Sequence, residues 1–213
     1  MKKLLLAFLT VMYSCCLLAQ LPQPTDYLQP SFHKGRREAL RQMMPANSVA
    51  IFFAYPERVF SNDVNYRYHA NPDLYYFSGY TEPEGVLLVF KEKQTAGSDK
   101  PYNELLYVRK RDPRRETWTG KRLGVEGAQQ KLGIDLVLEN TAFEKLPIDL
   151  KAFDKIIYGG VKDLADNVNS KEDVYDLVRI FKAKAGVADL NDDFAADQAK
   201  IAASPYLAGE PYR

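Results

Sequence analysis

Short apolar runs set the frame for what this chain can fold into. Residues 48–54 (Ser-Val-Ala-Ile-Phe-Phe-Ala), 85–90 (Gly-Val-Leu-Leu-Val-Phe) and 104–108 (Glu-Leu-Leu-Tyr-Val) are each too short for a buried helix. They also lack the polar alternation of a half-exposed strand. A run of this length, rich in Val, Ile, Leu and Phe, is a strand covered on both faces. Residues 136–138 and 155–158 repeat the pattern in shorter form, the last closed by Gly159-Gly160. The second and third long runs are joined by a Gly/Ser/Asp/Lys/Pro loop, which predicts a hairpin.

Helical spacing fills the intervals. Residues 31–44 predict a helix with Ser31 as N-cap and with Phe32, Leu40, Met43 and Met44 on one face. Lys34, Arg36, Arg37 and Arg41 then form a solvated basic face, and Pro45 stops the helix. Residues 128–132 predict a short helix closed by Gly133, and residues 142–150 another, interrupted by Pro147. From Asp173 to Lys184, Val174, Leu177, Val178 and Phe181 recur at helical spacing. Strands alternating with helices give an α/β class, with a central sheet flanked by helices.

The first twenty residues have a different logic. Lys2 and Lys3 precede an apolar stretch that ends at Ala19-Gln20, the layout of a secretory leader at residues 1–19. A single-span anchor and a lipid-modified Cys15 remain open as alternatives. Residues 20–30 hold Pro22, Pro24 and Pro30 and read as an extended tether. On this reading the chain is exported, to a periplasmic or extracellular destination. Both cysteines, Cys15 and Cys16, fall inside the leader, so the remainder has no disulfide, no cysteine nucleophile and no thiolate metal site. Loss of Lys2 and Lys3 changes the balance from 29 cations against 28 anions to 27 against 28. A chain so nearly neutral has no electrostatic footprint for nucleic acid.

Aromatic and ionisable residues concentrate in residues 62–84, where Asp63, Tyr66, Arg67, His69, Asp73, Tyr76 and Glu82 lie close together. Their chemistry suggests a buried polar network between a loop and a sheet edge. The planar guanidinium of Arg67 suits a carboxylate such as Asp63 or Asp73, and tyrosines bury rings while their hydroxyls find acceptors.

Tyr66-Arg67-Tyr68, Asn71-Pro72-Asp73, Tyr76-Phe77-Ser78-Gly79-Tyr80 and Glu82-Pro83-Glu84, followed by an apolar strand, resemble the N-terminal domain of aminopeptidase P, the Xaa-Pro aminopeptidases. The downstream Glu116-Thr117-Trp118-Thr119-Gly120-Lys121-Arg122-Leu123-Gly124 is similar to the same domain. The resemblance implies a mixed sheet flanked by helices over residues 31–184, the creatinase/prolidase-like N-terminal fold with ribonuclease-H-like layering. It implies as partners a C-terminal pita-bread catalytic domain, further copies in a homo-oligomer, and a peptide with proline at its second position. Two divalent metals, commonly manganese, are implied for the full-length enzyme, held by that other domain. No metal or catalytic residue carries over to this chain, whose residues 185–213 read as a linker or the start of the next region. The alternative is a free-standing secreted binding module that keeps the fold without the enzyme. One departure stands out: His69 occupies a position where many relatives have arginine.

The resemblance also implies that Trp118 and Arg122 lie towards the substrate cleft, while His69, inside the tyrosine segment, reads as making a structural or interface hydrogen bond. Trp118, the lone tryptophan, sits among charges too dense for a core strand. It either caps a satellite apolar patch or offers a wall to substrate. Elsewhere the candidates are weak. His33 and His69 are isolated, His33 reading as exposed, and Asp189, Asp192 and Asp193 lack the glycine and glutamate of a calcium loop.

Overall fold

The computed structural model describes residues 28–61, 64–159 and 173–187. The leader, most of the tether, Asp63, Gly160 and the acidic tail lie outside the described residues. The ordered chain runs α1 (Pro30–Met43), β1 (Ser48–Phe53), β2 (Val59–Ser61), β3 (Val64–Asn65), α2 (Pro72–Ser78), β4 (Val86–Gln94) and β5 (Tyr102–Val108). It continues through α3 (Pro113–Thr119), α4 (Gly124–Leu132), β6 (Leu136–Glu139), two 3-10 turns at Asn140–Lys145 and Leu150–Ala152, β7 (Lys155–Tyr158) and α5 (Val174–Ala185).

Five strands form one mixed sheet in the order β6-β5-β4-β1-β7. β1 pairs antiparallel with β4 and parallel with β7, while β5 pairs antiparallel with β4 and parallel with β6. The β4–β5 hairpin is the one the loop composition predicts. Alternation along the strands sorts side chains to two cores. Val49, Ile51, Phe53, Leu88, Phe90 and Leu105 meet Phe143, Leu150 and the α5 residues Leu177 and Phe181. Ala50, Leu87, Val89, Leu106 and Val108 meet Leu40, Met44, Leu74, Ala128 and Leu132 from α1, α2 and α4. Burying the central strands on both faces contributes roughly 1.5–3 kcal/mol for each large apolar side chain.

α1 corrects three expectations. It starts one residue earlier than predicted, with Pro30 in its first turn and Gln29 as an N-cap that makes no side-chain bond. Its buried stripe is His33, Arg37, Leu40 and Met44, so the basic cluster is not simply a solvated face. Arg37 is fully buried: Nη1 donates to the Phe77 carbonyl (2.7 Å), Nη2 to that of Gly133 (3.0 Å), and Nε lies 2.8 Å from Glu104 Oε2. Arg41 Nη1 takes the other Glu104 oxygen at 2.8 Å. This clamp ties α1 to β5, α2 and α4, since a carboxylate in a buried strand requires a cation beside it. His33, expected at the surface, is 2% exposed, with Nδ1 2.9 Å from the Tyr76 carbonyl.

The region predicted as a helix over residues 142–150 is instead a pair of 3-10 turns on either side of Pro147. Proline lacks the amide a continuous helix would need there.

Candidate functional site

The aromatic segment is anchored by a helix. Asn71 caps α2, its Oδ1 accepting from the Asp73 amide (2.9 Å) while its Nδ2 donates to the Phe53 carbonyl (2.8 Å). One side chain thus starts the helix and ties it to β1. Gly79 ends the helix at φ 73°, the left-handed turn that glycine adopts without strain, and Tyr80 follows fully buried. Gly85 leaves room for the Tyr80 ring, since a Cβ there would come within 2.5 Å of it.

Between Tyr80 and β4 runs a turn of carboxylates. Glu82 Oε1 accepts the Leu123 amide at 2.7 Å, and the Tyr80 hydroxyl donates to Glu82 Oε2 at 3.4 Å. The Tyr68 hydroxyl donates to the Glu82 carbonyl at 3.3 Å. Glu84, at φ 61°, places Oε2 2.6 Å from Arg109 Nη1, and its carbonyl accepts from Asn140 Nδ2 at 3.3 Å. Burial pushes both carboxyls above their ordinary range; Leu123 and Arg122 pull Glu82 back, and Arg109 pulls Glu84 back. Burial likewise raises the Tyr68 and Tyr80 hydroxyls, which therefore act as donors throughout the neutral range.

Across this turn lies α3, capped by Asp112, whose Oδ1 accepts from the Arg114 and Arg115 amides. Arg111 grips Glu116 with two bonds, Nε at 2.9 Å and Nη2 at 2.8 Å, and holds that carboxyl below its usual range. Glu57, Asn65, Arg109, Arg115, Glu116 and Arg122 line much of a cavity of about 190 Å³ between α3 and the β2–β3 hairpin. Charges of both signs face one another there, so the cavity suits polar and zwitterionic groups rather than an apolar ligand.

Trp118 stands on α3, 90% exposed. It caps no apolar patch of the described residues. Arg122 is mostly covered, its Nη2 4.0 Å from Glu57 Oε1. His69 is exposed. The residues expected to form one buried network separate. Glu82 joins the carboxylate turn, and Tyr76 packs edge-on against Phe32 and Phe77 at 5.7 and 5.1 Å. Tyr66 is 58% exposed and meets only Phe60 edge-on at 5.0 Å among the ring contacts. Arg67 and Asp73 are both exposed, and Arg67 makes no ion pair among the described residues.

The structure also brings in Tyr68, Tyr80, Glu84 and Arg109, which the sequence reading did not single out as site residues. Glu84 carried a signal: a carboxylate immediately before a strand covered on both faces needs a cation, and Arg109 follows the neighbouring strand. No such signal marks the amide of Leu123, because backbone donors look alike in every sequence.

Among the described residues no group of three or more His, Cys, Asp or Glu side chains is placed to hold a metal ion, and no helix is long and apolar enough to cross a membrane. A two-metal centre does not fit these described residues.

Fold and face together define a three-layer α/β domain that displays an exposed aromatic side chain on a helix with other residues lining a charged cavity. The family model described as "Aminopeptidase P, N-terminal domain" matches residues 33–158, and the chain belongs to that family. The Xaa-Pro aminopeptidase of Escherichia coli K12 is 43% identical over 104 residues, covering 48% of this chain and 22% of that protein. Xaa-Pro aminopeptidase 3 of Dictyostelium discoideum is 35% identical over 102 residues, covering 48% and 19%. Among solved structures, aminopeptidase P from E. coli with the inhibitor Pro-Leu superposes with a TM-score of 0.57 at 29% identity, over 74% of this chain and 33% of that one. Proline aminopeptidase P II from Yersinia pestis gives 0.57 at 32%, over 75% and 34%. The aligned part of the chain thus spans about a fifth of those curated relatives and a third of the solved chains.

Proposed function

We propose that this chain is the non-catalytic N-terminal domain of an exported Xaa-Pro aminopeptidase, and that its Trp118 face shapes the approach of peptide to the active site. The chemistry belongs to a C-terminal pita-bread domain, where two divalent metals, commonly manganese, would supply an activated water. The substrate is a peptide with proline at its second position. In a homo-oligomer the face serves the cleft of its own or of a neighbouring subunit.

One observation carries this reading. Trp118 is 90% exposed on an ordered helix beside a charged cavity. A large aromatic displayed in this way adds nothing to the domain's own core, whereas against a peptide it supplies apolar area with little entropy to lose. Arg115 and Arg122, which line that cavity, provide cationic partners for a peptide carboxylate.

The test is Trp118→Ala in the polypeptide that joins this domain to a catalytic domain. The proposal expects the melting temperature to hold and kcat/KM for an Xaa-Pro peptide to fall about ten-fold, the loss of one apolar contact of 1–2 kcal/mol. Unchanged kinetics in the folded variant would refute the role of the Trp118 face in substrate access.

A further inference from the structure

α3 adds no residue to either core, its Glu116 side chain is covered in the grip of Arg111, and a seven-residue helix cannot hold itself together in water. The position of Trp118 must therefore be set where the chain on either side of α3 is attached. Both attachments reach the same turn. Upstream, Arg109 at the end of β5 pairs with Glu84 at 2.6 Å, both side chains largely withdrawn from solvent. Downstream, the Leu123 amide, at the entrance to α4, donates to Glu82 at 2.7 Å. Residues 110–122 form an excursion closed at its base by two carboxylates that lie two positions apart.

The turn is itself held from below. Tyr80 is fully buried and its hydroxyl reaches both the Glu82 carboxylate and the Pro83 carbonyl. The hydroxyl of Tyr68 and the amide of Asn140 secure the carbonyls of Glu82 and Glu84. Glu84 keeps a left-handed conformation, at φ 61°, that a non-glycine residue adopts only when its surroundings enforce it. A braced turn at the base of an excursion whose helix adds nothing to either core is an arrangement for fixing that helix in space.

We infer that the Glu82–Glu84 turn is a two-point clip that positions Trp118, with Glu82 as a positioning residue for substrate access rather than a contact residue. Its functional consequence rests on the reading of Trp118 given above; the clip itself does not. Loss of the Leu123 bond loosens the downstream end of the excursion, leaving it held by the Leu123 side chain against the second core and by Arg122 beside Glu57, while the sheet and both cores stay intact.

Trp118 is the chain's single tryptophan, so its fluorescence reports this helix alone. Anisotropy decay of the full 213-residue chain should show the fast local motion of the indole increase at least about two-fold in Glu82→Ala. Glu82→Gln, which keeps an oxygen for the Leu123 amide, should restore the wild-type decay. A merely structural role would not give that rescue at the indole. In the unaltered chain the Leu123 amide should exchange at least about ten-fold more slowly than an unstructured amide, which decides the matter even if Glu82→Ala fails to fold. Unchanged indole motion in a folded Glu82→Ala, a Glu82→Gln as mobile as Glu82→Ala, or an unprotected Leu123 amide overturns the clip. If the clip measurements succeed while Trp118→Ala leaves peptide turnover untouched, the substrate-access reading falls and the clip stands. The reverse pattern removes the clip alone.

Discussion

Arg37→Met takes out the centre of the buried clamp while keeping most of the side-chain volume. The guanidinium is fully buried and serves Glu104, the Phe77 carbonyl and the Gly133 carbonyl at once. Removing one partner of a buried ion pair costs about 3–5 kcal/mol, because the other charge stays behind uncompensated. Glu104 would retain Arg41 at 2.8 Å, which places the ion-pair loss at the low end of that range. Two carbonyls losing their donors add about 1 kcal/mol each. The sum is about 5 kcal/mol, equivalent to a fall of about 10–20 °C in melting temperature for a domain of this size. Calorimetry or thermal circular dichroism of the 213-residue chain measures it. In the double variant Arg37→Met/Glu104→Gln the stranded charge is gone, and about half the loss should return. A single variant melting within about 2 °C of wild type would refute the claim that the clamp holds α1 on the sheet.

Arg67→Ala should leave stability within about 0.5 kcal/mol, since the side chain is exposed and makes no ion pair among the described residues; a loss comparable to that of Arg37→Met would restore the buried-network reading. Gly79→Ala forces a Cβ into a left-handed residue 2.9 Å from the His33 ring and should cost at least about 1–2 kcal/mol in denaturant unfolding. The Glu82 carboxyl is raised in the fold by burial, so the folded chain keeps that proton to higher pH than the unfolded chain. The stability this gives is complete below the ordinary carboxylate range and is lost as pH rises through the raised value. Glu82→Gln stays neutral, so its melting temperature relative to wild type should climb as pH rises from about 4 through the raised Glu82 value; a flat or falling difference contradicts the assignment.

The sheet was legible because its information is local. A strand such as β1 or β4 declares itself by an unbroken apolar run, and the α5 stripe by its spacing. Those signals come from burial, which composition reports directly. The Glu116-to-Gly124 segment and the aromatic motifs pointed to the family, and residues 33–158 match its model. What composition could not report was pairing. The α1 stripe passes through His33 and Arg37, two polar residues whose burial depends on Glu104 and on carbonyls far along the chain. Arg67 showed the opposite failure: density of charge and aromatics in sequence suggested a partner, yet the backbone turns the side chain to solvent. The helix α3 was unreadable for a related reason, since it has no apolar periodicity and is set by the Asp112 cap and by anchors outside it.

The central claim is that this chain supplies a scaffold and an access face, with the peptide chemistry held elsewhere. Residues 20–213, expressed alone, should unfold cooperatively, take up no manganese tightly in a calorimetric titration, and release no N-terminal residue from an Xaa-Pro peptide at neutral to mildly alkaline pH. Stoichiometric tight manganese uptake accompanied by peptide cleavage would contradict the account and would place a metal centre within this chain.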